Sequence, residues 1–197
     1  MPDLTRRQQR EQTRQTLLRT GRRLFATRGY AGVGLAELVQ AAGVTKGALY
    51  HHFDSKAALF HAVLAQVQQE VAGRVVAAAE AEGDPWTRFT AGCEAFLAAS
   101  TDPEVQRIML VDGPAVLGWA QWRALDEANS ARHLTEALVA LVESGVIAPQ
   151  PVAPLTRLLS GAMNEAALWL ATSTRPAEDM AETVAALTRM LGALRSR

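Results

Sequence analysis

"GVTKGALYHHFDSK", residues 43–56, reads as a short helix ended by a polar turn and the start of a second helix. Gly43 suits a tight turn before it, because glycine takes positive φ without a steric penalty. Thr45 stands in the capping position, where its hydroxyl can accept a hydrogen bond from a free backbone N–H, and the helix it opens is expected over 46–52. Just upstream, a helix is expected from about Leu35 to Ala42, ended by Gly43. Two short helices joined by a tight turn match a helix-turn-helix, about 34–53, whose second helix enters the DNA major groove. Leu38, Val44 and Leu49 are the apolar contacts that would hold the pair against a preceding helix, and Ala41 and Ala42 would keep the two close. The rest of the second helix is polar: Thr45, Lys46, Tyr50, His51 and His52 can reach phosphates and base edges.

Outward from this stretch the pattern stays helical. Over 6–28, Leu17, Leu18, Leu24 and Phe25 fall on one helical face, and Gly29 supplies a stop. Ser55 caps a long helix whose Leu59, Phe60, Val63, Leu64, Val67, Val71 and Val75 recur every three or four residues. Asp84-Pro85 and Asp102-Pro103 each place a cap before a proline suited to the first helical position, predicting helices over 85–99 and 103–111. Asp112-Gly113-Pro114 is expected to break the chain, with one long helix over 118–144 after it and two last helices over 152–171 and 176–194. No alternating strand pattern, internal repeat, low-complexity tract or separating linker is present. The fold class expected is all-α, with about nine helices; 197 residues can bury one sizeable core, or a small module plus a larger one.

Composition narrows the function. No run of about 18 apolar residues suggests a membrane span, and the Arg/Gln-rich start does not resemble an export signal, so a cytoplasmic protein without a membrane partner is expected. The single Cys93 excludes an intrachain disulfide, and no Cys/His spacing suits a metal; no metal or cofactor is expected. The formal net charge of zero hides an asymmetry. Residues 1–60 carry ten Lys/Arg against four acids, and residues 61–197 carry ten Arg against sixteen acids. A basic first third on an acidic remainder suggests that one end meets a polyanion. "GVGLAE" from Gly32 lacks the preceding strand of a dinucleotide loop, and His51 and His52 are adjacent rather than four apart. No nucleophile stands with a plausible base, and an enzyme is not expected.

The stretch "GYAGVGLAELVQAAGVTKGALYHHFDSKAALF", residues 29–60, resembles the DNA-binding region of TetR/AcrR-type transcriptional repressors. Gly29, Tyr30, Glu37, Gly43, Val44, Thr45, Gly47, Tyr50, His52, Phe53, Lys56 and Leu59 all fall at that family's spacing. The resemblance implies a DNA-binding domain over 1–60 and a helical ligand-binding and dimerisation domain over 61–197. It implies that Thr45 bonds a phosphate, that Lys46 reads a guanine or a phosphate, and that Gly47 permits close approach to the groove. Tyr50 and His51 would then contact phosphates or thymine methyls, and Lys56 would clamp another phosphate, while His52 and Phe53 pack beneath the helix. One position departs from the family: Gly34 stands where Ser or Thr usually caps the first helix of the motif. Glycine is tolerated there at a cost of only a few tenths of a kcal/mol.

By the same resemblance, the last two helices pair with those of a second copy. Leu155, Leu159, Ala162, Ala166, Leu170, Val184, Leu187 and Leu191 are the expected interface. The two recognition helices of such a homodimer would meet successive major grooves of a roughly palindromic double-stranded operator, about 34–36 Å apart. An unknown small-molecule effector, largely apolar, would then release the DNA. Phe89, Cys93, Phe96, Met109, Trp119, Trp122 and Met163 form the apolar inventory for its pocket, with Asn129, His133 and Asn164 as polar exceptions that could orient it. A ligand-independent regulator or activator is the alternative within DNA binding, and a small-molecule carrier or enzyme lies outside it.

Overall fold

A computed structural model describes residues 5–196, so residues 1–4 and 197, at the outer ends of the two expected domains, lie outside it. Thr5 opens the first helix with a reciprocal cap: its hydroxyl accepts from Gln8 N–H while the Gln8 side chain accepts from Thr5 N–H. Helix α1 (Arg6–Arg28) lays the buried Leu17, Leu18, Leu24 and Phe25 against α4 (Lys56–Glu80). Buried Gly21 lies close to Leu59: an added Cβ would sit 3.4 Å from Leu59 Cδ2. Helices α2 (Leu35–Ala42) and α3 (Lys46–His52) pack on α1 through the fully buried Leu38 and Leu49. Gly43 takes φ 64 between them, in the left-handed region that the turn requires. Phe25, Tyr30 and Phe60 meet edge to face or tilted, with centroids 5.1 to 5.8 Å apart, and join this small unit to the base of α4.

The rest of the chain packs around α4. Helix α5 (Pro85–Ser100) runs back along it, opened by Asp84, whose carboxylate accepts from Trp86 and Thr87 N–H. Burial of Val63, Leu64, Val67, Val71, Phe89, Phe96 and Leu97 forms the middle of the core. Helices α9 (Ser130–Glu143) and α10 (Val152–Leu170) close its side, and α11 (Pro176–Gly192) packs against α10 and α5. Eleven α-helices and no strand are present among the described residues, and no helix is long and apolar enough to cross a membrane.

Two expected boundaries differ, and together they account for eleven helices instead of nine. The chain does not break at Asp112-Gly113-Pro114. Helix α6 (Pro103–Gln106) widens into a π-helical segment, Arg107–Asp112, that leads straight into α7 (Gly113–Leu117). Pro114 has no N–H to bond the carbonyl of Leu110, and the wider turn absorbs its ring. Trp122 Nε1–H donates to the Met109 carbonyl at 2.7 Å, satisfying one group of the widened segment. The break comes instead at Gly118, at φ 77. The expected helix over 118–144 is two helices, α8 (Trp119–Ala128) and α9, divided at Asn129. There the side-chain amide donates to the Leu125 carbonyl at 2.7 Å while the backbone leaves the helical region at φ −122, ψ −108.

Candidate nucleic-acid interface and cavity

At the start of α3 the Thr45 hydroxyl accepts from Ala48 N–H at 3.1 Å, which fixes the helix N-terminus and leaves its first N–H groups pointing outward. Thr45, Lys46, Gly47, Tyr50 and His51 are all exposed and lie on one side of the small unit. Lys46 Nζ stands 5.8 Å from the Tyr50 ring centroid. Gly47 has no internal reason to be glycine: a Cβ there would meet nothing nearer than Thr45 Oγ1 at 3.9 Å. The space beside it is open.

Lys56 is placed differently from the expected phosphate clamp. Its ammonium donates to the carbonyls of Tyr30 and Val33 at 3.0 and 2.9 Å and lies 3.9 Å from the Tyr30 ring centroid. Two charge-assisted bonds turn it inward, so it staples the loop after α1 to the start of α4. Glu37, a motif residue, forms an ion pair with Arg28 that ties α2 to α1, and Arg28 also donates to the Gly32 carbonyl at 2.8 Å. Gly34 caps α2 without any side-chain bond.

Beside α3, Arg7, Arg10 and Arg14 of α1 form a basic hollow with His52 and Glu11. Their spacing of three and four residues puts the arginines on one helical face, a signal readable from the sequence. Desolvation lowers the His52 pKa from its ordinary 6.5, and the charges of His51, Arg10 and Arg14 lower it further, against an opposing effect of Glu11. The hollow favours an anion over a proton.

The motif unit is wired to the rest of the molecule at the end of α1. Tyr30 N–H donates to Asp112 Oδ2 at 2.7 Å, and Arg107 Nε donates to the same oxygen at 3.3 Å. A side chain on Gly29 would collide with the Arg107 guanidinium. Arg22 pairs with both Glu70 and Glu104.

A cavity of about 440 Å³ opens between α4, α5, α8, α9 and α10. Phe89, Cys93, Phe96, His133 and Met163 line it as expected. Met109, Trp119, Trp122, Asn129 and Asn164 are not among its lining residues. Met109 and Trp122 are core residues joined by a hydrogen bond, Trp119 is exposed and lies tilted against Trp122, and Asn129 is committed to its own helix end. Apart from His133, the polar residues that line the cavity escaped the sequence reading: Glu80, Arg88, Asp126, Ser130 and Ser160. No local motif marks them, because α8 and α10 bring Asp126 and Ser160 together from 34 residues apart. Burial pushes the Cys93 thiol up to about 12, so it stays protonated and serves as apolar wall.

The expected interface residues divide in two. Leu159, Leu170, Leu187 and Leu191 are buried within the protomer, at 7% exposure or less, and cannot be covered by a partner. Leu159, Leu187 and Leu191 face inward because α10 and α11 complete this chain's own core. Leu155, Ala166 and Val184 are half-buried and Ala162 is exposed. Beside them Leu158 and Trp169 stand 72% and 50% exposed, along the same side of α10 as Ala162.

Comparison with known proteins agrees along the whole chain. Residues 17–63 match the family model for bacterial regulatory proteins of the tetR family, and residues 86–194 match the tetracyclin repressor-like C-terminal domain. The crystal structure of a TetR-family transcriptional regulator from Pectobacterium atrosepticum is similar at 37% identity and a TM-score of 0.79, over 98% of this chain and 99% of that one. The HTH-type transcriptional regulator AcrR of Shigella flexneri is 44% identical over 54 residues, 27% of this chain and only 25% of that protein. The repressor Rv1474c of Mycobacterium tuberculosis is 34% identical over 110 residues, 55% of this chain and 57% of that protein. The chain therefore spans from about a quarter to just over half of the length of these two regulators.

Proposed function

The chain belongs to the TetR family of bacterial transcriptional regulators, and from that premise we propose that it is a cytoplasmic, homodimeric repressor released from a palindromic operator by a small ligand. Its relatives are regulators and not enzymes. The observation that carries the DNA assignment is the outward face of α3, where Thr45, Lys46, Gly47, Tyr50 and His51 are exposed and open space surrounds Gly47. Thr45 and the helix N-terminus receive a phosphate. Lys46 reads a guanine or an adjacent phosphate, Gly47 lets the helix seat deeply, and Tyr50 and His51 hold the backbone or thymine methyls. Arg7, Arg10 and Arg14 supply the phosphate contact that Gly34 cannot make.

The second copy docks on the side of α10 that carries Leu158, Ala162 and Trp169, with Leu155, Ala166 and Val184 at its margin. Exposure of two large apolar side chains on one helix supports this face. The functional division at 60/61 falls within α4, whose 25 residues span about 37 Å from the base of the motif unit to the cavity. One rigid helix thus carries both Lys56, which staples that unit, and Val75, Val76 and Ala79, which wall the cavity. A ligand that favours one tilt of α4 shifts the spacing of the two recognition helices, with coupling of about 1–3 kcal/mol.

Lys46→Ala and Tyr50→Ala test the assignment in the full-length protein. Each should weaken binding to a selected operator while sedimentation still reports a dimer. Parent-like binding by both would show that another surface contacts DNA.

A further inference from the structure

We propose that the cavity takes a neutral, largely apolar molecule ending in a hydrogen-bond donor, of the phenol type, with its hydroxyl seated against Asp126. This deepens the reading of the chain as a ligand-responsive regulator and rests on it. Charge comes first. Asp126 and Arg123 lie 3.0 Å apart with side chains only 8% and 11% exposed, a buried pair closed on itself. Arg123 Nη1 also donates to Ser160 Oγ at 3.1 Å, and its Nε stands 3.6 Å from Glu127, so its guanidinium is already engaged. Glu80 and Arg88, both exposed lining residues, carry opposite formal charges that sum to zero, and His133 is directed to Glu136 at 3.2 Å. A charged ligand would bring a third charge to a compensated buried pair, and burying an unmatched charge is costly.

The unpaired capacity of Asp126 sets the polarity of the contact. Asp126 Oδ2 accepts from Arg123 at 3.0 Å and from Ser160 Oγ at 3.4 Å. Its other oxygen, Oδ1, has no hydrogen-bond partner among the described residues, although Asp126 is 6% exposed and lines the cavity. Burial raises the Asp126 pKa, opposed by the Arg123 charge and the Ser160 hydrogen bond; paired with Arg123 as a carboxylate, Asp126 only accepts, so a ligand group completes this site by donating to it. Ser130, also buried and lining the cavity, can donate or accept and adapts to the ligand's oxygen. Phe89, Phe96 and Met163, all buried, line the same cavity with two aromatic rings and a thioether against which a flat apolar body packs. A cavity of about 440 Å³ is the size that holds one small organic molecule.

A matched series tests this by calorimetry on the full-length protein: 4-propylphenol, its methyl ether and 4-propylbenzoate. The phenol should bind about tenfold or more tightly than the ether, because the ether leaves the buried acceptor unpaired. The benzoate should bind no better than the ether. In the double variant Arg123→Met/Asp126→Leu, which strands no buried charge, phenol and ether should bind alike. Equal binding of phenol and ether by the parent, preference for the benzoate, no binding of any of the three at millimolar concentration, or an undiminished phenol preference in the double variant would each overturn the proposal. Adding the phenol to a preformed operator complex separates the two readings. Binding with the expected preference but without DNA release would refute ligand control and leave the chemistry of the cavity standing, whereas DNA release by an acid or a hydrocarbon that competes for the cavity would do the reverse.

Discussion

Replacing Gly47 by alanine should move stability and DNA affinity in opposite directions. Gly47 is the second residue of α3, with helical backbone and open space where a methyl group would go, nothing nearer than Thr45 Oγ1 at 3.9 Å. Glycine within a helix costs about 0.5–1 kcal/mol relative to alanine, and at an N-terminal position the lower part of that range applies. A gain of about 0.5 kcal/mol raises the melting temperature of a chain of this size by about 1–2 °C. Against DNA the same methyl holds each recognition helix away from the groove. Loss of about one phosphate hydrogen bond per helix, about 1–1.5 kcal/mol, amounts to about 2–3 kcal/mol over two copies. That corresponds to about 30- to 150-fold weaker operator binding. Thermal denaturation and fluorescence anisotropy at one fixed salt concentration read the two effects. A variant that melts higher yet binds within about threefold of the parent would refute the placement of Gly47 against DNA.

Other outcomes follow from the same geometry. Phosphate in the Arg7/Arg10/Arg14 hollow should reverse the lowered His52 pKa, so DNA binding takes up a proton and affinity rises as pH falls below about 6.5; His52→Gln should remove that part of the pH dependence, and an unchanged profile would place the phosphate elsewhere. The free protein has the opposite sign: with the folded pKa of His52 below its unfolded value, this group's stability contribution is complete above about 6.5 and declines as pH falls toward the folded pKa. Lys56→Met should lower stability by about 2–3 kcal/mol, measured by urea unfolding, because it strands two carbonyls; the salt slope of DNA binding should stay the same, whereas a direct phosphate contact would reduce it by about 1 per copy. Leu158→Glu should give monomers by sedimentation and lose operator binding, and a stable dimer would move the interface to another face. Cys93 should resist alkylation in the native protein at pH 8, its thiol being held up to about 12, and rapid labelling would show that the cavity wall opens.

The motif unit was legible because its signals are local. Gly43, Thr45 and Ser55 each announce a helix boundary within three residues, and the structure uses all three as caps. The proline at 114 misled, since its missing N–H can be absorbed by a π-helical turn once Trp122 reaches the Met109 carbonyl, a contact spanning 13 residues. Asn129 divides a helix without any Gly or Pro to mark it. Periodicity identified the apolar residues of α10 and α11 but could not say which of two apolar sides faces this chain's own core; Leu159 and Leu187 face inward and Leu158 outward. The cavity was half legible for a similar reason. Aromatic and thioether residues are conspicuous in a sequence, whereas Asp126 and Ser160 become a site only when α8 and α10 meet.

Selection of bound fragments from the source genome, followed by footprinting with the purified dimer, tests the central claim most directly. A homodimeric helix-turn-helix regulator should protect a single palindromic site on one side of the duplex, with half-sites one helical turn or a multiple of it apart and a steep loss of affinity with salt, near −0.9 per phosphate contact. Recovery of no enriched sequence at low salt from folded, dimeric protein, or of a site without two-fold symmetry, would contradict that claim.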